Sequence, residues 1–400
     1  MKLMAFPSVP SLPGQVGEPA ARPSISARAN APRKRLESID ILRGLAAFGV
    51  LAMHARNTLW VGGFASWKEH GLSLNLDTWF GYLSLPFRFG RLGVMLFFVI
   101  SGYCIHGGNV RLLARGDWGL RTFLRKRIRR IYPTLIGALA ITWLVDSFAA
   151  RHVPAADLGD NRLSTLLCNL LTLQNIVRPV FGTNGPLWSL SIEEHLYVLY
   201  PLLVASGLLV GRSRRLLLVV ASISLPACVV ATLFPSAPLD LLPYLFTWIV
   251  GAGLAEVEAG HVALPRLPYR WISLASGILA VSFSLRNWPV LSDVASTGMA
   301  GALVGWSIRP AGQQFWRRVP GSEQLRRLGV MSYSLYAIHL PVLIAFRAYF
   351  LQGNQSSRFG WVVVGCATCI ATAFLFFALI ERWTITSANL GRQVAEPGAA

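Results

Sequence analysis

Residues 41–60 read ILRGLAAFGVLAMHARNTLW, a largely apolar run of the length one helix needs to cross the ~30 Å hydrocarbon layer of a bilayer. Within it stand Arg43 and His54. Ionisable groups at such depth are costly and mark functional sites by default, a structural ion pair being the ordinary alternative. The two are eleven residues apart, about three helical turns, so they share one face with a rise of roughly 16 Å between them. A lone buried histidine is more often a packing residue held by a hydrogen bond, so its meaning depends on what the rest of the chain supplies.

Runs of the same kind recur. Hydrophobic residues make up 54% of the 400, charged residues only 14%, and mean hydropathy is +0.50, far from soluble-domain usage. Further spans are expected at 89–107, 128–150, 187–210, 215–234, 239–257, 270–286, 293–309, 328–351 and 359–381, giving an all-α polytopic transmembrane bundle of about ten spans. Isolated sheets are excluded, because their open edges find no hydrogen-bond partner in lipid. Residues 1–35, rich in Pro, Ala, Ser and Arg, lack the apolar core of a signal peptide and read as a disordered basic cytoplasmic tail. Residues 36–385 form the transmembrane domain, and 386–400 a flexible C-terminal tail.

The net charge of +19 would suggest nucleic acid in a soluble protein. Here it sits in loops beside apolar spans: Arg33, Lys34 and Arg35, then Arg121, Arg125, Lys126, Arg127, Arg129 and Arg130. Arginine-rich and arginine-poor loops alternate along the chain, as the positive-inside rule requires of a multi-pass protein of the cell's inner membrane. This predicts that both termini are cytoplasmic, that lipid is the surrounding partner, and that nucleic acid is not one. The five cysteines lie in apolar or near-apolar segments, so no disulfide framework follows. Cys366 and Cys369 have redox spacing but read as small buried hydrophobes of WVVVGCATCIATAFLFFALI, residues 361–380.

A second ionisable cluster stands in LWSLSIEEHLYVLYP, residues 187–201, where Glu193, Glu194 and His195 interrupt an otherwise apolar helix. If this helix enters from the periplasmic side, Glu194 lies about 10 Å below that surface, a depth similar to that of His54. A carboxylate that orients a histidine strengthens it as a base; the structural alternative is a glutamate paired with an arginine. Arg127 and Arg130, three apart, share a helix face and can grip phosphate bidentately, the alternative being an ordinary positive-inside flank.

Taken together, IDILRGLAAFGVLAMH (39–54), FGRLGVMLFFVISGYCI (89–105), FLRKRIRRIYP (123–133), GPLWSLSIEEHLYVLYP (185–201) and SYSLYAIHLP (332–341) resemble the acyltransferase 3 family, membrane O-acyltransferases that modify bacterial surface polysaccharides. The resemblance runs from about residue 36 to 382. It implies that His54 is the catalytic histidine, that Arg43, Arg127 and Arg130 belong to the arginine motifs, that Glu194 is the acidic one, and that acyl-CoA is the donor. Met95 departs from it, standing where many relatives carry Asp, and so does His195, where Gln is common. The esterase-like domain fused to some relatives is absent from this sequence.

The expected mechanism holds the phosphates of acyl-CoA, with acetyl the leading acyl group, on Arg127, Arg130 and Arg43. The pantetheine arm reaches inward, and His54, supported by Glu194 or Glu193, activates a hydroxyl of a carbohydrate or lipid-linked glycan acceptor. No zinc motif, nucleophile elbow or phosphate loop is present and no metal is expected. His339 and His106 are left outside the catalytic set. The rival reading, a proton-coupled transporter or exporter of a glycan or small molecule, predicts inverted repeats and broken helices, which the sequence does not display.

Overall fold

The computed structural model describes residues 36–62, 76–154, 157–206, 241–262 and 267–384, with isolated positions at Ala65, Lys68, Ser222 and Pro226. The two tails and the expected span at 215–234 lie outside the described residues. What is described is helical, without a strand.

Helix α1 (Glu37–Leu59) carries the opening motif. A short α2 (Leu76–Leu83) and a 3-10 turn at Leu85–Phe89 lead into α3 (Arg91–Arg115), which ends on Gly116 in the left-handed conformation at φ 75°. Helix α4 (Leu120–Ala149) holds the paired arginines, α5 (Leu163–Leu170) is short, and α6 (Leu187–Ala205) holds the glutamates. Then follow α7 (Leu241–Glu258), α8 (Tyr269–Leu285), α9 (Pro289–Ser307), the short α10 (Pro310–Arg318) and α11 (Ser322–Val330), α12 (Ser332–Phe350) and α13 (Gly360–Phe376), the last continued by a π-helical turn at Phe377–Glu381.

Five of these stretches are long and apolar enough to cross a membrane: Glu37–Leu59, Leu76–Arg115, Leu120–Ala149, Ser332–Phe350 and Gly360–Thr384. They coincide with five of the expected spans. The expected spans at 187–210, 239–257, 270–286 and 293–309 are also helices. Helix α6 carries two glutamates and a histidine and α9 holds Asp293, which lower their apolarity, the 17 residues of α8 rise only ~26 Å, and α7 is an apolar stretch of 18 residues.

Two glycine contacts set the packing around the site. A Cβ on Gly44 of α1 would strike the Leu325 carbonyl, and one on Gly329 of α11 would strike that of Asp40. Likewise Gly102 of α3 lies against the Trp248 carbonyl, and Gly251 of α7 against that of Val99. Such small residues let helix backbones meet where lipid gives no hydrophobic drive for association. Arg43 and Ser101 are the immediate neighbours of Gly44 and Gly102, so these contacts also position the site. Apolar side chains such as Trp143, Leu144, Val363 and Phe374 face outward, the composition of a lipid-facing surface.

Candidate active site

Helices α1, α3, α4, α6 and α12 enclose a cavity of about 160 Å³. Arg43, Arg127 and Arg130 line it, with Ser101, Glu193 and Tyr336 among their companions. Four of the six residues singled out from the sequence therefore share one chamber. The three-residue spacing turns Arg127 and Arg130 inward while Arg125 and Arg129 stay exposed, as the helical period requires.

The three arginines are held differently. Arg130 pairs with the fully buried Glu381, Nη2 to Oε1 2.8 Å, and lies over the Tyr333 ring. Glu381 also accepts from the backbone N–H and hydroxyl of Ser334 at 3.0 and 2.5 Å. Arg127 rests against the rings of Phe123 and Tyr197, and its buried Nε has no hydrogen-bond partner among the described residues. Arg43 makes no ion pair among them. Three guanidinium groups against the single carboxylate of Glu193 in the lining leave a positive chamber that fits a bound anion, and the buried Arg127 Nε is free to donate to one.

Glu193 accepts hydrogen bonds from Ser101 (2.6 Å) and from Tyr197, which fixes one wall of the chamber. Glu194 is buried, and its Oε1 has no partner among the described residues. His195 turns back to its own helix, Nδ1 to the Ser191 carbonyl at 2.6 Å. Met95 is a core residue.

His54 does not line the chamber, and neither glutamate is bonded to it. Its Nδ1 lies 3.0 Å from the Val50 carbonyl and 3.0 Å from Nε2 of His339. His339 Nδ1 in turn donates to the Tyr336 carbonyl at 2.8 Å. Carbonyls only accept, so each Nδ1 carries a proton; neutral His339 then offers the Nε2 lone pair to His54, and neutral His54 keeps its own Nε2 unprotonated. Tyr336 bridges the two parts of the site: it lines the chamber, and its ring centroid is 5.7 Å from that of His339. Sequence reasoning left His339 aside. The available signal was its place in SYSLYAIHLP, one helical turn after Tyr336.

His106 is not among the residues that line the chamber. It is fully buried, with Nε2 2.5 Å from Glu256 and Nδ1 3.1 Å from the Tyr200 hydroxyl, while Glu256 also meets His261 at 2.7 Å. Outside the spans, the Thr165 hydroxyl and the Arg162 backbone N–H hold the Asp160 carboxyl below its ordinary range. Among the described residues no cluster of three or more His, Cys, Asp or Glu is arranged to hold a metal ion.

Residues 36–380 match a family model described as an acyltransferase domain. Among curated proteins the chain is similar to the acyltransferase MdmB of Streptomyces mycarofaciens, 27% identical over 86% of this chain and 88% of that protein. It is 26% identical to the peptidoglycan O-acetyltransferase OatA of Listeria monocytogenes, over 87% of this chain and 56% of that one. For the O-acetyltransferase OatA of Staphylococcus aureus the identity is 22%, over 80% and 52%. The chain thus spans only about half the length of these last two relatives. No solved structure matches it.

Proposed function

Because the chain belongs to the acyltransferase 3 family over residues 36–380, we propose that it is a membrane O-acyltransferase that moves an acyl group, acetyl first among them, from acyl-CoA to a hydroxyl of an extracytoplasmic or lipid-linked carbohydrate. The observation that carries this reading is the chamber: three arginines on two helices, with a wall that ends beside the His54 and His339 pair.

In this reading Arg43, Arg127 and Arg130 hold the phosphates of the donor, and Arg43 and Arg127, which are not committed to Glu381, contribute most. The thioester lies toward Tyr336. His54 takes the acceptor hydroxyl's proton on Nε2 as the oxygen attacks the thioester carbonyl; the C–S bond breaks, and the thiolate leaves with that proton. His339 acts through His54, fixing its tautomer and ring. Glu193 belongs to the catalytic set as the anion of the chamber wall, and Glu194 as a buried acceptor open to a donor group of the ligand. The bundle in its membrane has about ten spans with both termini cytoplasmic, which supports donor entry from the cytoplasm. A glycan acceptor is suggested by the Listeria relative, which is named a peptidoglycan O-acetyltransferase.

The test is label transfer from labelled acetyl-CoA to an extract of candidate glycans by the purified protein. Labelled glycan supports the reading. Movement of an unmodified solute across sealed vesicles, without consumption of CoA, would place the chain among transporters instead.

A further inference from the structure

The chamber is elongated. Along α3 its lining runs from Ile105 to Val94, a rise of roughly 16 Å, and along α12 from Tyr333, under Arg130, to Tyr336, one helical turn further on. Phe97, Phe98 and Tyr336 line it, and Tyr336 is the lining residue that stands against His339. The Phe97 and Tyr336 rings meet edge to face with centroids 5.8 Å apart. The Tyr336 hydroxyl is held at 2.6 Å by that of the buried Ser189, and it donates to the Pro186 carbonyl at 3.2 Å. These last two residues lie at the start of α6, so two helices lock the ring in place. Behind it stands His339, and behind His339 stands His54.

We infer that the Tyr336 ring, braced by Phe97, is the specificity element of the donor chamber, a stop that limits the acyl group to a short chain. This rests on the reading of the chamber as an acyl-CoA site and adds to it the class of acyl group accepted. The physical basis is packing. A ring fixed on one side by a second aromatic and on its hydroxyl by two oxygen partners cannot give way for added methylenes without losing those contacts. Acetyl fits below the stop, and hexanoyl does not.

The experiment uses the full-length protein in lipid nanodiscs and needs no glycan. Thiol release from acetyl-, butyryl- and hexanoyl-CoA is followed with water as acceptor, beside calorimetric binding of CoA itself. The unchanged protein should favour acetyl over hexanoyl by about tenfold or more, the scale on which a tight apolar pocket rejects extra methylenes. Tyr336→Ala and, independently, Phe97→Ala should bring that ratio close to one, whereas Tyr336→Phe, which keeps the ring, should preserve it. A ratio unchanged in both alanine variants while CoA still binds would overturn the stop, and so would a ratio lost equally in Tyr336→Phe. Failure of the unchanged protein to bind CoA would overturn the donor reading and the stop together.

Discussion

His339 Nε2 lies 3.0 Å from Nδ1 of His54, and each ring is tied by its own Nδ1 to a carbonyl one turn earlier in its helix. This chain of bonds leaves His54 Nε2 as the free base of a neutral pair. His339→Leu should therefore lower kcat by about tenfold to a hundredfold, within the range of a positioned base that has lost its orientation. His339→Gln, whose amide oxygen can still accept from His54, should retain more. The discriminating readout is kcat against KM for acetyl-CoA: a positioning role moves the first and leaves the second.

Arg130 and Glu381 form a pair whose carboxylate is fully buried. Arg130→Ala strands that charge and should destabilise the protein by about 3–5 kcal/mol, read as a lowered Tm in detergent. Joint replacement of Arg130 and Glu381 by leucine should recover much of the loss. Both variants should weaken CoA binding, so stability and binding come apart in the double variant.

Gly44 and Gly329 meet across the contact of α1 and α11. Alanine at either position drives a methyl group into a backbone carbonyl, and overpacking of this kind costs about 1–3 kcal/mol. The Gly44→Ala variant should also raise the KM for the donor, because Arg43 moves with its neighbour.

Glu323, on the exposed helix α11, takes bonds from Arg326 and Arg327 that push its carboxyl down to about 2. A depressed carboxyl stabilises the folded state above the ordinary glutamate range, and that contribution is lost as pH falls through about 2. The pair is exposed, so its effect on stability is small and screened by salt. A carboxyl-carbon NMR titration of Glu323 should show the low midpoint, moving toward the ordinary value in Arg326→Ala combined with Arg327→Ala.

Some of this site is legible in the sequence and some is not. The inward turn of Arg127 and Arg130 follows from helical period alone, and Arg43 follows from its burial in an apolar run. The association of His54 with Glu193 and Glu194 rests on depth, which counts rise along separate helices and says nothing of rotation. Rotation is decided by packing, and packing turns Glu193 to Ser101 and Tyr197 and His54 to His339, 285 positions away. A pair so distant in sequence carries no local signature. The apolar runs themselves are clear: five coincide with helices long and apolar enough to cross a membrane, and those of α6 to α9 are helical as well.

The most direct test of the central claim is label transfer from acetyl-CoA by the purified His54→Ala protein, measured beside CoA binding in the same preparation. The account predicts that transfer falls by about a hundredfold or more while CoA still binds, because the arginines that hold the donor lie apart from the histidine. Transfer at the level of the unchanged protein would contradict it.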